Sequence, residues 1–223
     1  MKVHKMWTLA FDTTTNFCSV ILMKDNNVCS VFSSEMTFGQ SEVLLPQIET
    51  IFKNNSLSFQ DLALLCVCTG PGSFTGVRSS ISAARAFGLS SKNLTLCGIN
   101  AFDVYASTLE AHQRSEYTAV IIETKREDFY YACYDKNLRK IIPPKTAFYN
   151  DIIRDLKGHN ITLVGDGIQR FLSRKNDLHI HEACFDTHPN IKTLALLGID
   201  RFNEKTTDYP KPLYLKAADV CIK

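Results

Sequence analysis

The 223-residue chain sets 25 Lys and Arg against 23 Asp and Glu, a formal net charge of +2, with 45% hydrophobic and 22% charged residues. That balance excludes wholesale disorder and a domain-wide basic footprint for nucleic acid. The longest unbroken apolar run, Leu62 to Cys68, falls far short of the ~20 residues of a membrane span, and the stretch after Met1 lacks a signal-peptide core, so a cytoplasmic chain is expected.

Met6–Asp12, Phe17–Met23 and Val28–Phe32 read as short strands rich in β-branched and aromatic residues. Asp25-Asn26-Asn27 supplies a turn, and connections this short predict an antiparallel meander. Leu44, Leu45, Ile48, Ile51 and Phe52 then form one stripe at helical period, with Ser41 as the expected N-cap and Pro46 either in the first turn or at a kink. Leu62–Thr69 reads as a buried strand, Gly70–Gly76 as a loop and Val77–Leu89 as a second helix. Leu94–Ile99 is another strand, and Asn100 caps a helix to about His112.

The order then restarts. Tyr117–Glu123, Phe129–Tyr134 and Leu138–Ile142 are three strands, broken by Pro143-Pro144. Asn150 is the expected cap of a helix carrying Ile152, Ile153 and Leu156; a strand at Ile161–Val164 and a Gly165-Asp166-Gly167 turn into a short helix follow. Ile191, Leu194, Ala195, Gly198 and Phe202 mark a last helix, and Pro210 and Pro212 frame a terminal Leu213-Tyr214-Leu215 strand. Three strands followed by alternating helices and strands, twice over, predict an α/β protein of two ribonuclease-H-like lobes. Each lobe has a mixed sheet flanked by helices, as in the actin and sugar-kinase (ASKHA) superfamily. The lobes are expected at residues 1–105 and 106–223, with the helix at about 191–203 able to pack back on the first lobe.

Eight cysteines raise a metal or disulfide reading, but none forms a C-x-x-C pair and most sit in apolar strand-like runs, so they read as buried and reduced. His179 and His181 share a strand face without further ligands nearby and read as surface or edge-strand residues. The most unusual segment is Gly70-Pro71-Gly72-Ser73-Phe74-Thr75-Gly76-Val77-Arg78. It joins a strand to a helix, the setting of a phosphate cradle, yet it matches neither G-x-G-x-x-G nor the P-loop spacing. It therefore reads as a sharp turn with Ser73 or Thr75 as helix cap. Arg78 opposes the helix dipole and so reads as a contact residue. The helix after the loop has two close-packing faces, Ser79/Ser82/Ala83/Ala86 and Val77/Ile81/Ala84/Gly88; one must cover the sheet and the other could receive a neighbour.

Asp12-Thr13-Thr14 ends the first strand where this superfamily usually holds a phosphate with a glycine at the third position; Thr14 would crowd it. Asp12 reads as a turn cap rather than a Mg²⁺ ligand, and Glu123-Thr124-Lys125 is its counterpart in the second half. No G-x-S-x-G elbow or H-E-x-x-H pair is present. The clusters Lys136/Arg139/Lys140/Lys145 and Arg170/Arg174/Lys175 read as solvated faces.

On these residues the chain resembles the bacterial TsaB (YeaZ) family. The likeness is carried by Leu9-Ala10-Phe11-Asp12-Thr13 with Cys18-Ser19-Val20, by Leu44-Leu45-Pro46-x-Ile48, and above all by the loop Gly70, Pro71, Gly72, Ser73, Phe74, Thr75, Gly76 with Val77 and Arg78. Cys97-Gly98-Ile99-Asn100 and Pro212-Leu213-Tyr214-Leu215-Lys216 add weaker matches. Gln40 stands where the family often has His, and Glu123-Thr124-Lys125 where it often reads Asp-Ala-Arg. The resemblance implies a non-catalytic scaffold subunit in the synthesis of N6-threonylcarbamoyladenosine at position 37 of tRNAs. It implies pairing with a TsaD-type catalytic subunit that holds ATP and metal, a TsaE-type ATPase at the junction, a homodimer when alone, tRNA contact through the complex, and no catalytic, cofactor or metal residue in this chain. The implied partner surface comprises Leu44, Leu45, Ile48, Ile51, Val77, Arg78, Ile81 and Ala84. The residues leave two enzyme readings as alternatives: a small ATP-dependent phosphotransferase using Asp12 and the glycine loop, and, ranked last, a glycoprotease-like peptidase.

Overall fold

In the computed structural model, which describes residues 6–215, the chain divides within a helix, Ala101–Thr108, into two units. The first runs to Val104 and includes His188–Pro212; the second spans Tyr105–Thr187 and the chain from Leu213. The last helix therefore belongs with the first unit, although the elements just before it in sequence belong to the second.

The first unit is built on strands β1 (Trp7–Asp12), β2 (Phe17–Lys24), β3 (Asn27–Glu35), β4 (Leu62–Cys68) and β5 (Thr95–Ile99), in the order β3-β2-β1-β4-β5. β1 to β3 form the expected meander, and β4 and β5 run parallel to β1. Helices α1 (Gln40–Asn54) and α2 (Phe74–Ser90) cover one face, where Leu44, Ile48, Ile51, Phe52, Val77, Ile81 and Ala84 join Leu9, Phe11, Val20, Leu22, Leu65 and Val67 in one core. Helix α3 is the Ala101–Thr108 segment that carries the chain from one unit to the other.

The second unit repeats the plan with β6 (Tyr117–Glu123), β7 (Phe129–Asp135), β8 (Lys140–Ala147), β9 (Asn160–Val164) and β10 (His179–Cys184), in the order β10-β9-β6-β7-β8. Its meander is antiparallel and β9 and β10 are parallel to β6. Helices α4 (Tyr149–Leu156) and α5 (Ile168–Leu172) cover the core through Tyr149, Ile152, Leu156, Ile168 and Phe171. Each unit is thus a ribonuclease-H-like lobe. The final helix, α6 (Ile191–Asn203), lies against the first sheet, where a Cβ on Gly198 would collide with Cys66 Sγ.

Several boundaries differ from the sequence-based expectation. Gly39, not Ser41, caps α1, with φ 88°, and the Ser41 hydroxyl donates to Ser79 Oγ at 2.8 Å instead. Pro46 sits inside α1. α2 begins at Phe74, so the glycine loop ends at Ser73. α3 stops at Thr108 rather than near His112, because the Arg114 guanidinium takes the Leu109 carbonyl at 2.6 and 3.0 Å. β8 starts late, after Leu138 takes φ 61°, and it runs through Pro143-Pro144. It pairs only with β7, and its register slips by one residue between Ile142 and Lys145, so the proline pair sits at a bulge of an edge strand, where a missing donor costs the ladder little. α4 is capped at Phe148, whose carbonyl accepts from Asp151 and Ile152, and Asn150 lies inside it. Leu213–Leu215 joins no strand, and Lys216 and Cys221 lie outside the described residues. Five cysteines are buried as free thiols, but Cys29 is exposed on β3 and Cys184 is half-buried. His179 and His181 are exposed on β10, at a sheet edge.

Candidate functional site

The first strand tip and the glycine loop lock together. Asp12, fully buried, accepts a bond from Thr14 N at 2.8 Å, closing the turn. Ser73 N donates to the Thr14 carbonyl at 2.6 Å, and Thr13 Oγ1 donates to the Gly76 carbonyl at 2.8 Å. A Cβ on Gly72 would collide with the Thr14 carbonyl oxygen, and one on Gly76 with that of Thr13. These glycines are needed because backbone approaches backbone. Ser73 caps α2 by accepting from Gly76 N at 3.3 Å. Burial pushes the Asp12 carboxyl up to about 6 against the pull of the Thr14 N–H, and burial together with Asp12 pushes the Cys18 thiol up to about 11.

The counterpart in the second unit has the same turn with other chemistry. Lys125 N donates to Glu123 Oε1 at 2.6 Å, and Arg170 grips both Glu123 oxygens at 2.7 and 2.8 Å. Burial opposes the charge on Glu123, but the Arg170 fork and the Lys125 N–H outweigh it and hold the carboxyl below its usual range. Asp166 accepts from Glu123 N at 2.9 Å, and burial pushes it up to about 6. Gly167 N donates to the Ile121 carbonyl at 3.0 Å, so this tip too is closed by glycine backbone. Among the described residues no three His, Cys, Asp or Glu side chains gather in a metal-binding group.

The outer side of α1 and α2 carries exposed apolar surface. Of the eight residues expected there, six are core: Leu44, Ile48, Ile51, Val77, Ile81 and Ala84 hold the helices onto the sheet, with Ile48 1% and Ile81 2% exposed. The stripe that makes each helix amphipathic is the side that a sheet of Leu, Val and Phe must bury. Leu45, 51% exposed, and Arg78 point outward. Phe38, 85% exposed just before α1, and the Phe74 side chain, 56% exposed, add apolar surface that the helical stripes do not contain. Arg78 lies over the Phe74 ring at 3.7 Å, four residues on along α2. Phe38 was findable as an aromatic in the polar stretch Thr37–Gln40, off the helical period. Ser41, one turn before Leu45, joins the two helices through Ser79. Gln40 donates to the Met36 carbonyl at 3.1 Å and the Thr15 carbonyl at 3.5 Å.

Residues 39–154 match the family model described as TsaD: tRNA N6-adenosine threonylcarbamoyltransferase. Over nearly the whole chain, relatives carry the name tRNA threonylcarbamoyladenosine biosynthesis protein TsaB. The one from Escherichia coli K12 is 29% identical over 223 residues, 95% of each chain. That from Buchnera aphidicola subsp. Baizongia pistaciae is 26% identical over 216 residues, 93% of this chain and 96% of its own. The chain belongs to this family, and within it to TsaB (YeaZ). YeaZ from Pseudomonas aeruginosa, 18% identical, shares the fold with a TM-score of 0.81 over 94% of this chain and 100% of its own. The residues on which the sequence resembles TsaB, Asp12-Thr13 and Gly70–Gly76 above all, are the two sides of one structural joint. The TsaB likeness thus rests first on a structural joint, with the exposed helix faces beside it.

Proposed function

We propose that the chain is an accessory, non-catalytic subunit in the synthesis of threonylcarbamoyladenosine on tRNA. It docks a TsaD-type catalytic subunit on the outer face of α1 and α2 in the cytoplasm, with a TsaE-type ATPase joining there and tRNA held through the complex. The observation that carries this is the exposed Leu45 on α1 and Phe74 and Arg78 on α2, two neighbouring helices joined by Ser41 and Ser79, with Phe38 exposed just before α1. Large exposed aromatics beside an Arg are what interface centres are made of. The glycine backbone packed on the Thr13 and Thr14 carbonyls supports the accessory role, since it fills the strand tip where a phosphate would need room. ATP and metal are accordingly assigned to the partner.

The test is binding to a purified TsaD-type subunit by size exclusion. The double substitution Leu45→Asp and Phe74→Asp, both on exposed side chains, should keep the circular dichroism of the parent and weaken the complex by roughly 100-fold. An unchanged complex would sink the surface, and full threonylcarbamoyl transfer without this chain would sink the role. Tight calorimetric binding of Mg-ATP to this chain alone would replace the reading with a phosphotransferase.

A further inference from the structure

Strands β4 and β5 set Cys66 opposite Cys97 in their parallel ladder. Residues in register on neighbouring strands point to the same face. Here it is the face that α6 covers, where a Cβ on Gly198 would collide with Cys66 Sγ. Both side chains are wholly buried as free thiols, and among the described residues no other two cysteines face each other in a ladder. The two thiols bond one another, with Cys66 as donor. That bond holds Cys97 below the usual thiol range against its burial, and the Arg201 guanidinium pulls the same way, opposed by the Asp208 carboxylate. Burial pushes Cys66 well up. Arg201 is fixed by Asp103 at 2.7 Å and by the Gly98 carbonyl at 3.4 Å. A thiol whose ionisation is favoured, beside a second thiol, is the arrangement of a redox-responsive pair.

We propose that Cys66 and Cys97 form a peroxide-responsive dithiol, closing to a disulfide that ties β4 to β5 beneath α6. The Cys97 thiolate attacks one oxygen of hydrogen peroxide and breaks the O–O bond. Its sulfur gives up two electrons and becomes a sulfenic acid, and the other oxygen leaves as hydroxide and takes up the proton that Cys97 released, as water. The Cys66 sulfur then displaces the sulfenic hydroxyl: the S–S bond forms, the S–O bond breaks, and the Cys66 proton leaves with the hydroxyl as a second water. Neighbouring strands stand about 4.8 Å apart, inside the ~4.4–6.8 Å range between the Cα atoms of a disulfide. Side chains in register stand wider at Cβ than a disulfide prefers, so closure is strained and the bond is readily reduced, a reversible state rather than a staple. Access comes from the sheet edge. β5 is the last strand, covered on its outer side by residues 208–210, where Gly98 N donates to the Asp208 carbonyl at 2.8 Å and Pro210 lies against Gly98. Release of that segment opens Cys97 to a small oxidant. Closure draws the Cys66 sulfur away from Gly198, which loosens the seat of α6. The proposal does not rest on the TsaD-type reading, which uses the outer face of α1 and α2.

Non-reducing peptide mapping of the folded full chain, after a graded series of hydrogen peroxide, tests this. A crosslink between Cys66 and Cys97 is expected, and dithiothreitol should remove it. Cys66 and Cys68 share a tryptic peptide, so C68A is mapped beside the parent and should keep the crosslink, whereas C66A and C97A should lose it. R201Q removes the nearby charge and leaves both sulfurs, and should slow closure by roughly three- to tenfold. An Arg201 that only holds α6 in place would, once removed, loosen the edge and speed closure. In the oxidised parent the α6 amides should exchange roughly tenfold faster than in the reduced chain. Peroxide that oxidises the exposed Cys29 and leaves Cys66 and Cys97 as thiols overturns the proposal. So do a crosslink that forms only in denaturant, a sulfinic acid at Cys97 without a crosslink, faster closure in R201Q, and an oxidised chain whose α6 exchanges as before.

Discussion

Asp12 gives the sharpest residue-scale consequence. Its carboxyl is buried, and burial outweighs the pull of Thr14 and its other hydrogen-bond donors, so its folded value near 6 stands above the ordinary 3.8. A raised folded value means stability present at low pH and lost as pH rises through about 6. Asp12→Asn keeps an oxygen for Thr14 N and removes the charge. A shift of this size, 3.8 to about 6, corresponds to about 3 kcal/mol. The variant should thus match the parent near pH 4 and exceed it by up to that amount at pH 8 in urea unfolding; a constant difference across pH would refute the assignment. Gly76→Ala should cost about 3 kcal/mol in the same assay, because the atom that a Cβ meets is backbone, the carbonyl of Thr13, which cannot rotate away. The turn-capping role of Asp12 was legible from its place at a strand end before two threonines. The need for Gly72 and Gly76 was legible only as a turn, since the carbonyls they make room for lie about 60 residues earlier in the chain.

At the scale of elements, periodicity located α1 and α2 and left their faces open, while the partner surface implied by the resemblance took in residues that α1 and α2 turn to their own sheet. A stripe of Leu and Ile on a helix has the same form whether it meets its own sheet or another chain. Here the sheet claims it, because Leu9, Phe11, Val20, Leu65 and Val67 on the facing side have no other cover. Ile81→Ala should therefore cost about 2–5 kcal/mol by urea midpoint, and Ile48→Asp should abolish the folding transition, with or without a partner present. If Ile48→Asp stays folded and only partner binding falls, the burial of α1 described above is wrong. Pro143-Pro144 misled in the opposite direction. A proline pair reads as a break, yet a bulge in an edge strand tolerates missing donors, and whether a strand is at an edge is decided by the sheet rather than by the local sequence.

For the molecule as a whole, the twofold repetition of three strands and alternating helices was legible, and both sheets share one order. The place of the last helix was only left open, because local pattern does not report long-range contact. α6 follows β10 in the chain but belongs with the first unit through Gly198 over Cys66 and through Arg201, which bonds Asp103 at 2.7 Å and the Gly98 carbonyl at 3.4 Å. Amides that open together belong to one cooperative unit, whatever their order in sequence. Native-state hydrogen exchange in rising denaturant should therefore group the α6 amides with those of β1 and β4. Those of β9 and β10, closer in sequence, should follow the second unit. Gly198→Leu, which drives a side chain into Cys66, should lower the opening free energy of α6, β1 and β4 together and leave β6 and β9 unmoved. If α6 instead loses protection with β10, its packing on the first sheet is not what holds it, and the division of the chain at residues 187 and 188 fails with it.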